Sequence, residues 1–137
     1  MIKRIAVDIS MFVAIILEFV SLPILAHEII GIALFFLIIL HLYYNKRYFK
    51  AITKGKYDLR RTVGLIINIG LLISLLITII SGIFSSQKSL KDLKIGNYKI
   101  SHLHKPFAII SLIFLVLHLV FTHKKFLRIL KKNLISK

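Results

Sequence analysis

Apolar residues along the chain gather into four long runs, about residues 5–22, 24–44, 63–84 and 102–123, the last with its uncharged centre from about Pro106 to Thr122. Each run is close to the roughly 20 residues that a helix needs to cross a bilayer. Hydrocarbon offers the backbone no hydrogen-bonding partner, so a spanning segment must satisfy its own amides, and the few turn residues inside the runs agree with helix. The pattern predicts an all-α fold, an integral membrane four-helix bundle made as one domain over residues 1–137. Lys3 and Arg4 ahead of the first run, and Ala26 after it, give the outline of a signal peptide. Asp8 and Glu18 inside the run argue against that reading.

Composition strengthens the membrane assignment. The chain is 58% apolar with a mean hydropathy of +0.87, whereas soluble domains carry about 45–50% apolar residues. It has no cysteine, which excludes disulfides, thiolate-bound zinc, iron–sulfur clusters and haem attached through C-x-x-C-H. Any metal centre must use histidine or oxygen. A formal charge of +15 would suggest nucleic acid if the basic residues lined a water-exposed face. Here they flank the apolar runs, so membrane lipid is the expected partner and nucleic acid is not.

Counting Lys and Arg gives two before the first run, none between the first and second, seven from Asn45 to Arg61, five from Ser85 to Lys105 and six in the tail. The positive-inside rule then places both termini and the Asn45 to Arg61 loop in the cytoplasm, with the Ser85 to Lys105 loop outside. The second and fourth spans are predicted to run in the same direction. In the third span Gly64, Gly70 and Gly82, with Ser74, Thr78 and Ser81, permit close helix approach in lipid.

Histidine is costly at membrane depth, which makes it a functional-site candidate there. His27 and His41 in the second run are 14 positions apart, and so are His104 and His118 in the fourth. Fourteen residues make just under four turns, so each pair shares a helix face with about 21 Å between its members. With the two spans co-directional, His27 is expected level with His104 near the outer surface and His41 level with His118 toward the inner one. Two facing imidazoles from neighbouring helices suit the axial positions of a planar iron macrocycle held in a helical bundle. A small metal ion is served poorly by two nitrogens per level. Four metal ligands and two stacked b-type haems are the expectation. Small residues one turn on, Gly31 after His27 and Ala108 after His104, would leave room for a porphyrin edge. His102 competes with His104, but at 16 residues from His118 it is turned by about 160° from that face. His123 also points elsewhere.

In these residues the chain resembles transmembrane di-haem cytochromes b, such as the cytochrome b subunits of respiratory complexes, hydrogenases and formate dehydrogenases. The stretch HEIIGIALFFLIILHLYYNKRYF is similar to small four-helix bacterial membrane proteins with a cytochrome-b-like domain, and the likeness covers Asp8 through Lys125. The resemblance implies bis-histidine haem at His27 with His104 and at His41 with His118, electron transfer across the membrane, and a bacterial cytoplasmic membrane as its location. It leaves the donor and acceptor open.

Haem propionates require cations or water. Lys99 and Lys105 are candidates at the outer level; Lys46, Arg47, Arg60, Arg61 and Lys124 are candidates at the inner one, arginine being the better bidentate partner. Glu18 and Asp8 fall near the outer and inner levels as candidates for proton transfer, the alternatives being that Glu18 pairs with a polar neighbour and that Asp8 is solvated near the interface. With no Gly-rich phosphate loop, the chain is expected to be an electron-transfer subunit that depends on a quinol or a partner reductase. A self-contained oxidoreductase acting on quinone, superoxide or ferric iron is the alternative, with Lys88, Lys91, Lys94, Lys99 and Lys105 attracting an anion. A haem-free assembly or transporter subunit is the third reading.

Overall fold

The computed structural model describes residues 2–85, 94–95 and 98–135. Among these are five helices: α1 (Ile2–Glu18), α2 (Ile24–Tyr44), α3 (Lys46–Ile52), α4 (Leu59–Ser85) and α5 (His104–Ile135). A 3-10 turn, Ile100–Leu103, leads into α5. Two two-residue strands, β1 (Lys94–Ile95) and β2 (Tyr98–Lys99), pair antiparallel with Lys94 opposite Lys99. Three helical stretches, Ile24–Tyr44, Leu59–Ser85 and Ile100–Lys124, are long and apolar enough to cross a membrane. The protein is an all-α membrane protein. It divides into two compact units, Met1–Lys56 and Tyr57–Lys137.

The first unit is an antiparallel hairpin of α1 and α2. Its α1 ends at Glu18, four residues short of the apolar run. It closes with tightened bonds, the Phe19 N–H to the Ile16 carbonyl and the Val20 N–H to the Leu17 carbonyl, both at 3.1 Å. Pro23 follows in extended backbone as the N-cap of α2, with its carbonyl accepting the His27 N–H at 3.1 Å. At 17 residues α1 is about 25 Å long, and it carries Lys3, Arg4, Asp8 and Glu18. It is therefore shorter and more charged than the other three predicted spans. It nonetheless runs beside α2 for most of its length, from the contact of Glu18 with His27 to that of Arg4 with Asn45. Ala14, Ile15, Leu34 and Ile38 are buried between the two helices.

Asn45 forms the joint to α3. Its N–H reaches the His41 and Leu42 carbonyls, and its side-chain amide donates to the His41 carbonyl at 2.8 Å. The α3 helix brings Lys46, Arg47 and Lys50 to the same end of the hairpin as Lys3 and Arg4. After it comes Gly55, whose φ of 83° is a left-handed conformation that glycine adopts without strain.

The second unit pairs α4 with α5, again antiparallel. Asp58 caps α4 by accepting the Arg61 N–H on its carboxylate at 2.8 Å, the arrangement that satisfies an orphan first-turn amide. Small residues face the partner helix: Ser74, Ser81 and Ser111 are buried, and Thr78 meets Ser111 across the interface at 3.4 Å. Their hydroxyls also bond to carbonyls one turn back, Ser74 to Leu71, Ser81 to Thr78 and Ser111 to Phe107. No hydroxyl at this seam therefore depends on water. Pro106 is the third residue of α5, where the missing N–H would have no helical acceptor in any case, so His104 stands inside the helix as its first residue. Past the apolar stretch α5 continues as a basic helix with Lys124, Arg128 and Lys131.

Outward faces of the long helices are apolar, with Phe36, Ile39, Ile66, Ile73, Ile113 and Val120 all exposed. Lipid tails solvate such faces as readily as they solvate each other, so adhesion within each hairpin rests on close packing and on interhelical hydrogen bonds. Gly70 is the tightest point: a Cβ there would lie 2.5 Å from the ring of Phe114. Gly70→Ala is expected to destabilise the second unit by about 1–3 kcal/mol, the usual cost of overpacking. Denaturant unfolding of the detergent-solubilised chain, followed by loss of helical circular dichroism, measures it.

Candidate functional site

Four of the six histidines are half-buried and two are exposed. His27, His41, His104 and His118 form the first group; His102 and His123 form the second. His102 lies in the 3-10 turn. His123 turns its Nδ1 back to the Val120 carbonyl of its own helix at 2.6 Å. The exposure pattern thus separates the four proposed ligands from the two residues turned away from their faces.

Each of the four presents Nδ1 to an oxygen on the other helix of its own hairpin. His27 Nδ1 lies 2.7 Å from Glu18 Oε2, and His41 Nδ1 lies 2.7 Å from Asp8 Oδ1. In the second unit His104 Nδ1 is 2.8 Å from the Thr78 carbonyl and His118 Nδ1 is 2.8 Å from Asn68 Oδ1. Because His27 and His41 both reach α1, they share a face of α2; because His104 and His118 both reach α4, they share a face of α5. The 14-residue spacing anticipates both results.

These contacts fix ring chemistry. A carbonyl or an ionised carboxylate oxygen only accepts, so Nδ1 must donate, and in a neutral imidazole the lone pair then resides on Nε2. An oxygen that holds the Nδ1 proton and orients the ring is the usual outer partner of a metal-ligating histidine. All four candidates have one, and wherever the ring is neutral with its proton on Nδ1 the lone pair on Nε2 is the one that could ligate. Among the described residues no three histidine or acidic side chains converge as a metal-ion site.

Other predicted positions fall as follows. Gly31 sits beside α1, where a Cβ would come 3.7 Å from Glu18 Oε1; that is ordinary contact, so packing of α1 on α2 does not by itself demand a glycine there. Ala108 is half-buried on α5, while Lys105 and Arg47 are exposed. Lys46 lies over the Tyr43 ring at 4.7 Å and Arg61 over the Tyr57 ring at 4.3 Å, which occupies two of the cations considered for propionates. Lys88 and Lys91 lie outside the described residues, as does the side chain of Lys94. Glu18 and Asp8 are histidine partners, the pairing role weighed for Glu18 in the sequence.

Several residues of the site escaped sequence reasoning. Asn68 carried a signal, since an amide inside VGLIINIGLL is expensive in lipid and calls for a partner. The carbonyl of Thr78 carried none, because a backbone acceptor has no side-chain signature. Gly82 makes room for His104: a Cβ there would be 3.0 Å from ring atom Cε1. Asn45 braces the last turn of α2 around His41. Comparison of the chain with protein-family models, with curated proteins and with solved structures returns no match, so a functional reading rests on this geometry.

Substituting Asn68 by Leu removes the acceptor of His118 and buries its ring proton against hydrocarbon, at an expected cost of about 1–3 kcal/mol. Nitrogen-15 NMR of histidine-labelled protein should show His118 in the Nδ1–H form in the parent chain. In Asn68→Leu that resonance should move while those of His27, His41 and His104 hold their positions.

Proposed function

We propose that the chain is a di-haem b-type membrane cytochrome that carries electrons across the membrane, from a quinol or a partner reductase to an acceptor on the outer face. The single observation that carries the reading is the set of four half-buried imidazoles, each with Nδ1 engaged by an oxygen of its own hairpin. Four such rings in two pairs of equal spacing suit two bis-histidine haems, His27 with His104 and His41 with His118. The residues fit the group: imidazoles whose Nδ1 is held by an oxygen partner are side chains that would hold a haem iron.

Haem b, when bound, supplies a one-electron iron couple. The protein supplies the rest. Both members of each histidine pair stand on one uninterrupted helix, α2 or α5, which sets the two levels about 21 Å apart along the axis, most of the thickness of the hydrocarbon core. Helices in apolar surroundings keep water from those levels. Lys105 and Arg47 are the propionate partners we favour, and Gly31 and Ala108 the positions lying against the porphyrin edge.

Within each hairpin the basic residues collect at one end. Lys3, Arg4 and α3 mark it in the first unit, and Arg60, Arg61 and the basic part of α5 mark it in the second. This supports an orientation with both termini in the cytoplasm, in what we take to be a bacterial cytoplasmic membrane.

Difference spectra of the detergent-purified chain test the assignment. Dithionite reduction should give the sharp bands of bis-imidazole haem b. His41→Ala and His118→Ala should each halve the haem content, and His102→Ala should leave it unchanged. A folded chain that stays colourless would make the four polar contacts interhelical adhesion alone, and retention of both haems by either alanine variant would remove that ligand from the assignment.

A further inference from the structure

The two hairpins satisfy the same need with different chemistry. In the second unit the Nδ1 protons go to neutral acceptors, an amide oxygen and a backbone carbonyl. In the first unit they go to two carboxylates. The hydrogen bond itself therefore does not require charge, and the second unit is the control that shows it. The chain has only five acidic residues against 20 basic ones. Two of the five sit on α1 with 15% and 22% of their side-chain surface exposed, both turned to histidine. Placing a carboxylate at such a position costs it hydration, more than a serine or asparagine would lose in the same contact. They also account for much of what sets α1 apart from the three longer apolar helices.

We infer that Asp8 and Glu18 are positioning residues that set the electronic character of the α2 imidazoles, an inference that rests on the haem reading above. A carboxylate accepting the Nδ1 proton pushes electron density toward Nε2 and makes the ring a more basic ligand. A more basic ligand favours the more highly charged state of an iron it binds, so each carboxylate holds the potential of its haem down. Glu18 acts at the His27 level and Asp8 at the His41 level. The adjacent Arg4 hydrogen-bonds the Asn45 side chain, bracing the joint beside His41.

Spectroelectrochemical titration of the full chain in detergent, with Asp8→Asn and Glu18→Gln as variants, tests the inference. Each amide keeps an acceptor oxygen and nearly the same shape while losing the charge. Each variant should retain two haems and shift the reduction equilibrium of one of them about tenfold toward the reduced state, which is about 59 mV for one electron, with the other haem unmoved. Asn68→Asp, which adds a carboxylate in the second unit, should shift its haem the opposite way. Two haems with unmoved midpoints in both amide variants would overturn the inference and leave the haem reading intact. Should an amide variant lose a haem, Asp8→Glu or Glu18→Asp restores the charge and is expected to restore that haem with a near-parental midpoint; failure of this rescue overturns the inference as well. A parent chain without haem defeats the haem reading itself, before any variant is made.

Discussion

A histidine in an apolar helix hairpin must give its ring proton to some oxygen, and the rest of this structure is arranged around that demand. Leaving an N–H unmatched in hydrocarbon costs several kcal/mol. Four rings meet the demand through Glu18, Asp8, Thr78 and Asn68. Each bond crosses from one helix of a hairpin to the other, so the contact that settles the tautomer also settles the register of the helices. Sliding α1 along α2 by one turn would separate Asp8 from His41 and Glu18 from His27 together. Site and fold are thus specified by the same interactions.

The remaining adhesion in each unit is steric. In the second unit it comes from Gly70 against Phe114 and from the buried serines; in the first it comes from a short seam of Ala14, Ile15, Leu34 and Ile38. Neither seam is extensive, as expected where lipid competes for apolar surface. The polar cross-links therefore carry more of the specificity than they would in a water-soluble bundle of equal length. The carboxylates of α1 make this plainest, since they give up hydration to meet histidines that neutral groups would have satisfied.

Much of this was legible in the sequence. Runs of uncharged residues bounded the second span at 24–44, the limits α2 shows, because Pro23 and the Asn45 joint coincide with the ends of the apolar stretch. The other boundaries moved for identifiable reasons. Charged turns of α4 at Arg60 and Arg61 continue its helix, although a hydropathy criterion stops before them. The α5 helix likewise runs on into Lys- and Leu-rich sequence after the apolar residues end. The α1 helix stops early, in a tightened turn closed by the Phe19 and Val20 amides, and α3 is a seven-residue helix hidden among basic residues read as a loop. At the site, spacing identified the shared faces of the histidine pairs, and the depth of Asp8 and Glu18 anticipated their levels. What spacing could not supply is the acceptor of each ring, since a backbone carbonyl leaves no trace in the residue pattern and Asn68 is identified only by the cost of an amide in lipid.

The account stands on iron porphyrin being held by the four imidazoles whose Nδ1 is engaged across each hairpin. The pyridine haemochromogen assay on detergent-purified chain, normalised to protein by amino-acid analysis, addresses this most directly. The account predicts two protohaems per chain. A helical, monodisperse preparation containing none, even after incubation with added haemin, would contradict it.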